Sequence, residues 1–259
     1  MLSIQSQIRE QYWQWKSRLL YQTLYRILHL QHKLPSGLTV KVASMGEWWA
    51  YNEIFVDGEY DTAIRAAFTT LPSARSFVAL DLGANVGYFA FRVLDLLGEK
   101  GGLDITMVEG SPKTFAELQS RMAAKELQPL REKLLCGLVG HVQGSAFIRE
   151  SAIHVKSTVT DPGTAPGTKA AYVDLNEAMR DQAEIDLLKC DIEGSELLFI
   201  RTYPDLLRKV RYAVFELHHD QCDTNEAIQL LRSAGFENTL LRDSGTFSLN
   251  LFSRTRPVG

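Results

Sequence analysis

Residues 77–89 read Phe77-Val78-Ala79-Leu80-Asp81-Leu82-Gly83-Ala84-Asn85-Val86-Gly87-Tyr88-Phe89. A short apolar run ends in an acid, and a glycine-spaced turn follows at once. From Phe89 to Leu97 the pattern is helical, and Gly98 ends it. Strand, glycine turn and helix in that order open an α/β unit. Glycines at such a turn let the chain bend sharply. They also let a ligand approach main-chain N–H groups with no Cβ in the way. The spacing is G-x-N-x-G, not the G-x-G-x-x-G of pyrophosphate-binding dehydrogenases. Asp81, at the strand end, would repel a pyrophosphate and would suit a ligand ammonium.

Downstream the alternation continues. Asp104–Val108 reads as a second strand, Lys133–Leu138 as a third, Ile185–Cys190 as a fourth and Tyr212–Leu217 as a fifth. Helices are expected over Pro112–Lys125, Glu193–Thr202 and Asn225–Ala234. Strands alternating with helices predict a mostly parallel sheet covered on both faces. Two closing strands, around Asn238–Leu241 and Phe247–Phe252, are joined by Asp243-Ser244-Gly245. That link is too short for a crossover helix, so the pair must be antiparallel. Upstream, Leu38–Val42 reads as a strand and Ala63–Phe68 as a helix. Ser145–Ser157 looks like inserted β structure, followed by a loop with two Pro-Gly turns that could serve as a lid or as a bridge. Glu109 closes the second strand, where an acid accepts hydrogen bonds from both hydroxyls of a ribose. Ser111-Pro112 then supplies an N-cap and a first-turn proline. A ligand with a ribose and an ammonium is a nucleoside bearing an amino acid, and S-adenosylmethionine is one.

Composition bounds the alternatives. With 259 residues, 45% hydrophobic and 23% charged, the chain can bury a full core and is neither fibrous nor disordered in type. A formal charge of −3 matches nucleic-acid backbone poorly, so no nucleic-acid partner is expected. Cys136, Cys190 and Cys222 lie far apart, with no disulfide framework or metal spacing. No apolar run nears the roughly 18 residues of a membrane span, and the opening MLSIQSQIRE lacks the order of a secretory signal. A cytoplasmic location is therefore expected. Residues 1–33 stand apart. Ile4, Ile8, Tyr12, Trp15, Leu19, Leu20, Leu24, Ile27 and Leu28 keep a helix period that Pro35-Ser36-Gly37 stops. This segment carries a net +4 and five interleaved aromatics. Such a helix can lie on an anionic membrane surface as a peripheral contact, though packing on the domain body is the commoner use.

The motifs together resemble one family. Asp81-Leu82-Gly83-Ala84-Asn85-Val86-Gly87 is similar to the D-x-G-A-N-x-G loop of FkbM-type S-adenosylmethionine-dependent methyltransferases. Glu109-Gly110-Ser111-Pro112 is similar to their E-P-S-P segment, with glycine in place of the first proline. Lys189-Cys190-Asp191-Ile192-Glu193-Gly194-Ser195-Glu196 resembles their K-x-D-[IV]-E-G-x-E signature, Glu216-Leu217-His218 their E-x-H, and Val173-Asp174-Leu175 their T-L-D. The likeness spans roughly residues 50–255 in the right order. It implies a class I methyltransferase fold: a Rossmann-like α/β domain with a seven-stranded, mostly parallel sheet whose last strand is antiparallel. The expected division is an N-terminal helix-and-strand extension over 1–45 and the methyltransferase domain over 46–259. The resemblance implies S-adenosyl-L-methionine as cofactor and O-methylation, often of a sugar or polyketide-derived hydroxyl, so the expected acceptor is a small molecule or a glycan.

Site residues follow. Asp81, Gly83, Asn85, Gly87, Tyr88, Glu109, Ser111, Leu138 and Asp191 are expected at the cofactor. Catalytic groups should sit at the C-terminal tips of the fourth and fifth strands, which selects Lys189, Asp191 and Glu193, with Glu216, His218 and His219 opposite. His218 is the expected general base, since its ordinary pKa lies near working pH. Asp191 would orient the acceptor or hold the cofactor's amino group. Glu193 could instead be a first-turn helix acid, and Lys189 a simple ion-pair partner. Asp191, Glu216 and His218 could also gather as metal ligands, but no spacing demands it and no metal is assigned. Trp48, Trp49, Tyr51 and Tyr88 could wall the site or fill core. Specificity should lie in residues 1–60 and in the 145–172 insertion. A base-amine methyltransferase is disfavoured because Asp191-Ile192-Glu193-Gly194 stands where those enzymes carry [DN]-P-P-[YFW]. The other class of reading is a catalytically retired scaffold that binds a membrane or partner through its first helix; the intact Gly83, Gly87 and Glu109 oppose it.

Overall fold

The computed structural model describes residues 23–25, 27–28, 30–71, 75–98, 102–123, 130–150, 157–160 and 168–254. Most of the basic aromatic segment, residues 1–22, lies outside that set, as does the 161–167 part of the Pro-Gly loop. Thr23–Tyr25, Ile27 and Leu28 are helical. Tyr25 is buried with its hydroxyl on Met45 Sδ, whereas Leu24, Ile27 and Leu28 are exposed.

The expected helix does not run on to the proline. Leu30–Lys33 (β1) pairs antiparallel with Thr39–Val42 (β2). Gly37 takes φ +91 in the turn between them, and Leu34 and Leu38 close it by a main-chain bond of 2.7 Å. A Pro-Ser-Gly turn flanked by alternating residues makes a hairpin here, overriding the apolar helix period. Met45–Tyr51 (α1) follows, capped by Ser44, whose Oγ accepts from Glu47 N, and it runs into a π turn over Asn52–Val56. Asp61–Thr69 (α2) leads to the first strand of the main sheet.

That sheet is built from Phe77–Leu82 (β3), Leu103–Glu109 (β4), Leu130–Cys136 (β5), Ile185–Cys190 (β9), Val210–His218 (β10), Glu237–Asp243 (β11) and Phe247–Ser253 (β12). Ser145–Glu150 (β6), Ser157–Thr160 (β7) and Thr168–Ala171 (β8) form a separate three-stranded sheet at the expected insertion. The main order is β11-β12-β10-β9-β3-β4-β5. The strands from β10 to β5 are parallel, and β12, the last, is antiparallel to both neighbours. The class I methyltransferase expectation is met strand for strand. All six residues of β9 and five of six in β3 are buried, as expected of central parallel strands covered on both faces, even though Asp81, Asp186 and Lys189 are among them.

One face of the sheet is covered by α2 and by Tyr88–Leu97 (α3), through Ile64, Ala67, Phe89 and Val93, with Leu118 and Met122 of Pro112–Met122 (α4). The other face is covered by Leu175–Ala178 (α5), Glu196–Thr202 (α6), Pro204–Arg208 (α7) and Thr224–Ser233 (α8), through Leu175, Phe199, Leu206 and Leu231. Each buried Leu, Ile, Val, Phe or Met side chain among these stabilises by roughly 1.5–3 kcal/mol before entropy is counted. The helix expected from Glu193 starts only at Glu196, because Glu193 (φ +51) and Gly194 (φ +98) are left-handed. The third strand ends at Cys136, and Leu138 joins Tyr172 in an isolated bridge. Among the described residues no helix is long and apolar enough to cross a membrane.

From β3 the chain winds outward through β4 and β5, then returns to place β9 on the other side of β3. The winding direction reverses between β3 and β9. In open α/β sheets a ligand crevice forms at such a reversal, outside the carboxyl ends of the strands.

Candidate functional site

Both ends of this crevice come from adjacent strands in register. Asp81 pairs with Lys189, and Leu82 with Cys190. The chain then bends at Gly83 (φ +79), whose N–H and that of Ala84 both donate to Val108 O. A Cβ on Gly83 would lie 1.7 Å from the Asp191 carbonyl oxygen, so only glycine lets the two strand tips meet. Lys189 Nζ donates to Gly83 O at 2.9 Å, and stands 3.3 Å from Asp81 Oδ1 and 3.6 Å from Asp191 Oδ2. Burial would lower the lysine pKa, but the Asp81 and Asp191 carboxylates outweigh it and hold it well above its usual value.

Asp81 therefore does not stand where an ammonium would arrive. It is fully buried, lines no cavity of the crevice, and spends its charge on Lys189. Cross-strand register placed an ammonium of the chain's own beside it.

Two cavities open at the crevice. The first, about 650 Å³, is lined by Gly83, Asn85, Glu109, Gly110, Leu138 and Val139 on one side and by Asp191, Ile192 and Glu193 on the other. Glu109 is 6% exposed; its Oε1 accepts from Ser111 N at 2.8 Å and its Oε2 from Asn85 N at 2.9 Å. Burial raises its pKa, and those two N–H groups pull it back. The two bonds fix the carboxylate, and each oxygen keeps a second lone pair. Asn85 sits at φ +50, and its buried Oδ1 has no hydrogen-bond partner. An orphaned acceptor and a fixed carboxylate at one cavity fit the ammonium and ribose hydroxyls of S-adenosylmethionine.

Three expected cofactor residues act one step back. Gly87 is the N-cap of α3 at φ +89, left-handed backbone that favours glycine, and a Cβ there would press on the Met122 methyl of α4. Ser111 is the N-cap of α4, accepting from Thr114 N, and its own N–H positions Glu109. Tyr88 is 2% exposed and sends its hydroxyl away, to Lys41 O at 2.5 Å and Glu47 Oε2 at 3.2 Å, while its ring helps wall the second cavity.

The second cavity, about 1150 Å³, is walled by Trp49, Tyr60 and Phe247, and its charged groups are Glu53, Lys189, Asp191, Glu193 and Glu216. It shares Gly83, Asn85, Asp191 and Glu193 with the first. Behind the shared wall sits His218, 2% exposed and lining neither cavity. Its Nδ1 lies 3.3 Å from Oε1 of the fully buried Glu196, which also accepts from Ile192 N and Gly194 N. Its Nε2 lies 3.3 Å from Glu193 Oε2 and 3.4 Å from Glu216 Oε1. Burial alone would lower the imidazole pKa, but the Glu196 and Glu216 carboxylates bring it up to about 10. Glu216 is itself raised, by burial first and then by Asp191. The base expected to touch the acceptor is thus screened from it by Glu193 and Glu216. Sequence reasoning missed Glu196, Glu53, Tyr60 and Phe247. For Glu196 the signal was the second glutamate of the K-x-D-I-E-G-x-E stretch; for Glu53 and Tyr60 it was the Glu53-Ile54-Phe55…Gly58-Glu59-Tyr60 stretch, which is also similar to the family.

Residues 81–237, more than half of the chain, match the family model described as the methyltransferase FkbM domain. No curated protein matches significantly in sequence. Among solved structures, the methyltransferase FkbM of Methylobacillus flagellatus KT superposes with a TM-score of 0.53 at 15% identity, over 71% of this chain and 45% of that one. The chain thus spans under half the length of that relative. The METTL16 methyltransferase domain superposes with a TM-score of 0.50 at 12% identity, over 90% of this chain and 89% of that one. At these identities the likeness is one of fold.

Proposed function

This chain belongs to the FkbM family of S-adenosylmethionine-dependent methyltransferases, and we propose that it methylates a hydroxyl of a small-molecule or glycan acceptor without phosphate groups. The observation that carries the proposal is the shared wall: two cavities of different chemistry meet at Gly83, Asn85, Asp191 and Glu193. S-adenosylmethionine supplies an electrophilic methyl group on a sulfonium, which departs as a neutral thioether. Glu109 would accept from the ribose hydroxyls and Asn85 Oδ1 from the ammonium, with Leu138 and Val139 as the apolar wall. Trp49, Tyr60 and Phe247 offer flat faces for a sugar or polyketide-like body, and Glu53 and Glu216 offer acceptors for its hydroxyls. Four carboxylates against one lysine on that cavity repel a phosphorylated acceptor.

Transfer is an in-line displacement, so orientation supplies much of the rate. During transfer the hydroxyl proton would leave to a carboxylate of the acceptor cavity: Asp191 or Glu193 of the shared wall, or Glu216 beside it. His218 touches no acceptor: its Nε2 stands within 3.4 Å of two of these carboxylates, Glu193 and Glu216, from behind the wall. Calorimetric titration with S-adenosylhomocysteine, with NAD as control, tests the cofactor half; binding of NAD alone would sink it. Glu109→Ala should weaken S-adenosylhomocysteine by about 1–3 kcal/mol through lost ribose bonds. Methyl transfer to a panel of neutral, amine-bearing and phosphorylated glycosides tests the acceptor half, and turnover confined to the phosphorylated ones would refute it.

A further inference from the structure

A buried imidazole needs a partner on each nitrogen. At His218, Nδ1 faces Glu196 Oε1, and the same oxygen accepts two N–H groups of the loop that carries Glu193. Ring and loop are therefore fixed by one carboxylate. Nε2 makes no hydrogen bond, although the side chain is 3% exposed. Glu193 Oε2 at 3.3 Å and Glu216 Oε1 at 3.4 Å lie close, but neither is placed to accept one. One ligand atom each from Asp191, Glu193 and His218 falls within 4.8 Å of the others. Donors around an ion about 2.1 Å from each stand about 3 Å apart when adjacent and about 4.2 Å apart when opposite.

We infer that Asp191, Glu193 and His218 form a divalent-cation site at the junction of the two cavities. The site itself follows from the geometry; its use rests on the methyl-transfer reading above. Charge points the same way. Asp81, Asp191, Glu193, Glu196 and Glu216 crowd around Lys189 and His218, and buried charge in excess is offset by pairing or by metal. Two carboxylates with one imidazole suit a borderline divalent ion such as Mn²⁺ better than the all-oxygen ion Mg²⁺. Glu196 plays the part of the outer carboxylate that sets the tautomer and orientation of a ligating histidine. Asp191 and Glu193 line the acceptor cavity, so a cation held by them would meet an acceptor oxygen there and ease loss of its proton.

Mn²⁺ is the probe. The full chain, treated with a chelator and dialysed, is titrated with MnCl₂, and free Mn²⁺ is read by its paramagnetic resonance signal alongside calorimetry. One saturable site per chain is expected. Glu193→Gln, on the cavity wall, and His218→Gln, in the interior, should each weaken it at least tenfold, and Glu196→Gln by roughly 10–100-fold. S-adenosylhomocysteine binding by the same samples reports folding and the cofactor cavity separately. Absence of saturable Mn²⁺ binding in a wild-type sample that binds S-adenosylhomocysteine overturns the site. So does a Mn²⁺ site that both Glu193→Gln and His218→Gln leave intact.

Discussion

Gly83 and Glu193 hold left-handed backbone just beyond the tips of the neighbouring strands β3 and β9, for different reasons. At Gly83 the constraint is contact: the space a Cβ needs is filled by the Asp191 carbonyl 1.7 Å away. Neither that carbonyl nor the Gly83 turn can yield easily, since Gly83 N and Ala84 N are both tied to Val108 O and Gly83 O to Lys189. Gly83→Ala should therefore force the two tips apart, costing about 1–3 kcal/mol in folding and disproportionately more in S-adenosylhomocysteine affinity. Calorimetry beside thermal melts would show it; a variant that melts low but binds normally would contradict the close-approach argument. At Glu193 the φ of +51 is a cost of about 1–3 kcal/mol held in place by surroundings. Glu196 does the holding, through the N–H groups on either side of that residue, Ile192 N and Gly194 N.

Strand β9 divides its labour between its two ends. Near its start, the fully buried Asp186 receives Arg75 Nη1 at 2.6 Å, Arg211 Nη1 at 2.7 Å and Val78 N at 2.9 Å. Near its end, Lys189 closes the crevice floor. Asp186→Ala leaves two guanidinium groups without their buried partner and should cost about 3 kcal/mol, read as a lower midpoint in urea. Because Asp186 lies at the far end of the sheet from both cavities, S-adenosylhomocysteine affinity of the folded fraction should not change. The same strand shows what was legible in the sequence. Its six apolar-rich residues, the alternation around it and the two close-set final strands followed from period and length alone. The Gly83 turn and Glu109 at the tip of β4 were legible because each is a local feature of strand end and turn. The pairing of Asp81 with Lys189 was not, since it depends on register between strands more than 100 residues apart in the chain. Nor was the burial of His218 behind Glu193, which needs a left-handed residue where the helical pattern begins. The β1–β2 hairpin was hidden by an apolar helix period running up to its first strand.

At the scale of the whole molecule, the cofactor cavity belongs to the α/β body, while much of the acceptor cavity's wall belongs to α1 and the π turn. Gly46, Trp49, Ala50, Glu53 and Ile54 all come from that cap. The cap is fastened at Glu47, whose Oε2 receives Ala43 N at 2.7 Å, Tyr88 Oη at 3.2 Å and Arg121 Nη2 at 2.7 Å. Arg121 also donates to Lys41 O, and its guanidinium lies 5.5 Å from the centre of the Tyr88 ring. One arginine on α4 thus ties β2, α1 and the start of α3 together. Glu47 is 6% exposed, so Arg121→Ala strands a buried carboxylate and loosens the cap. Trp49 and Glu53 should then lose their fixed places, and KM for the acceptor should rise about tenfold, while S-adenosylhomocysteine affinity stays within about twofold. Arg121→Lys keeps the charge but not the fork that spans Glu47 and Lys41, and should recover only part of the loss. Steady-state kinetics with the acceptor varied, set against calorimetry with S-adenosylhomocysteine, separates the two cavities. Equal losses on both sides would mean that the cap and the body form one unit at the site.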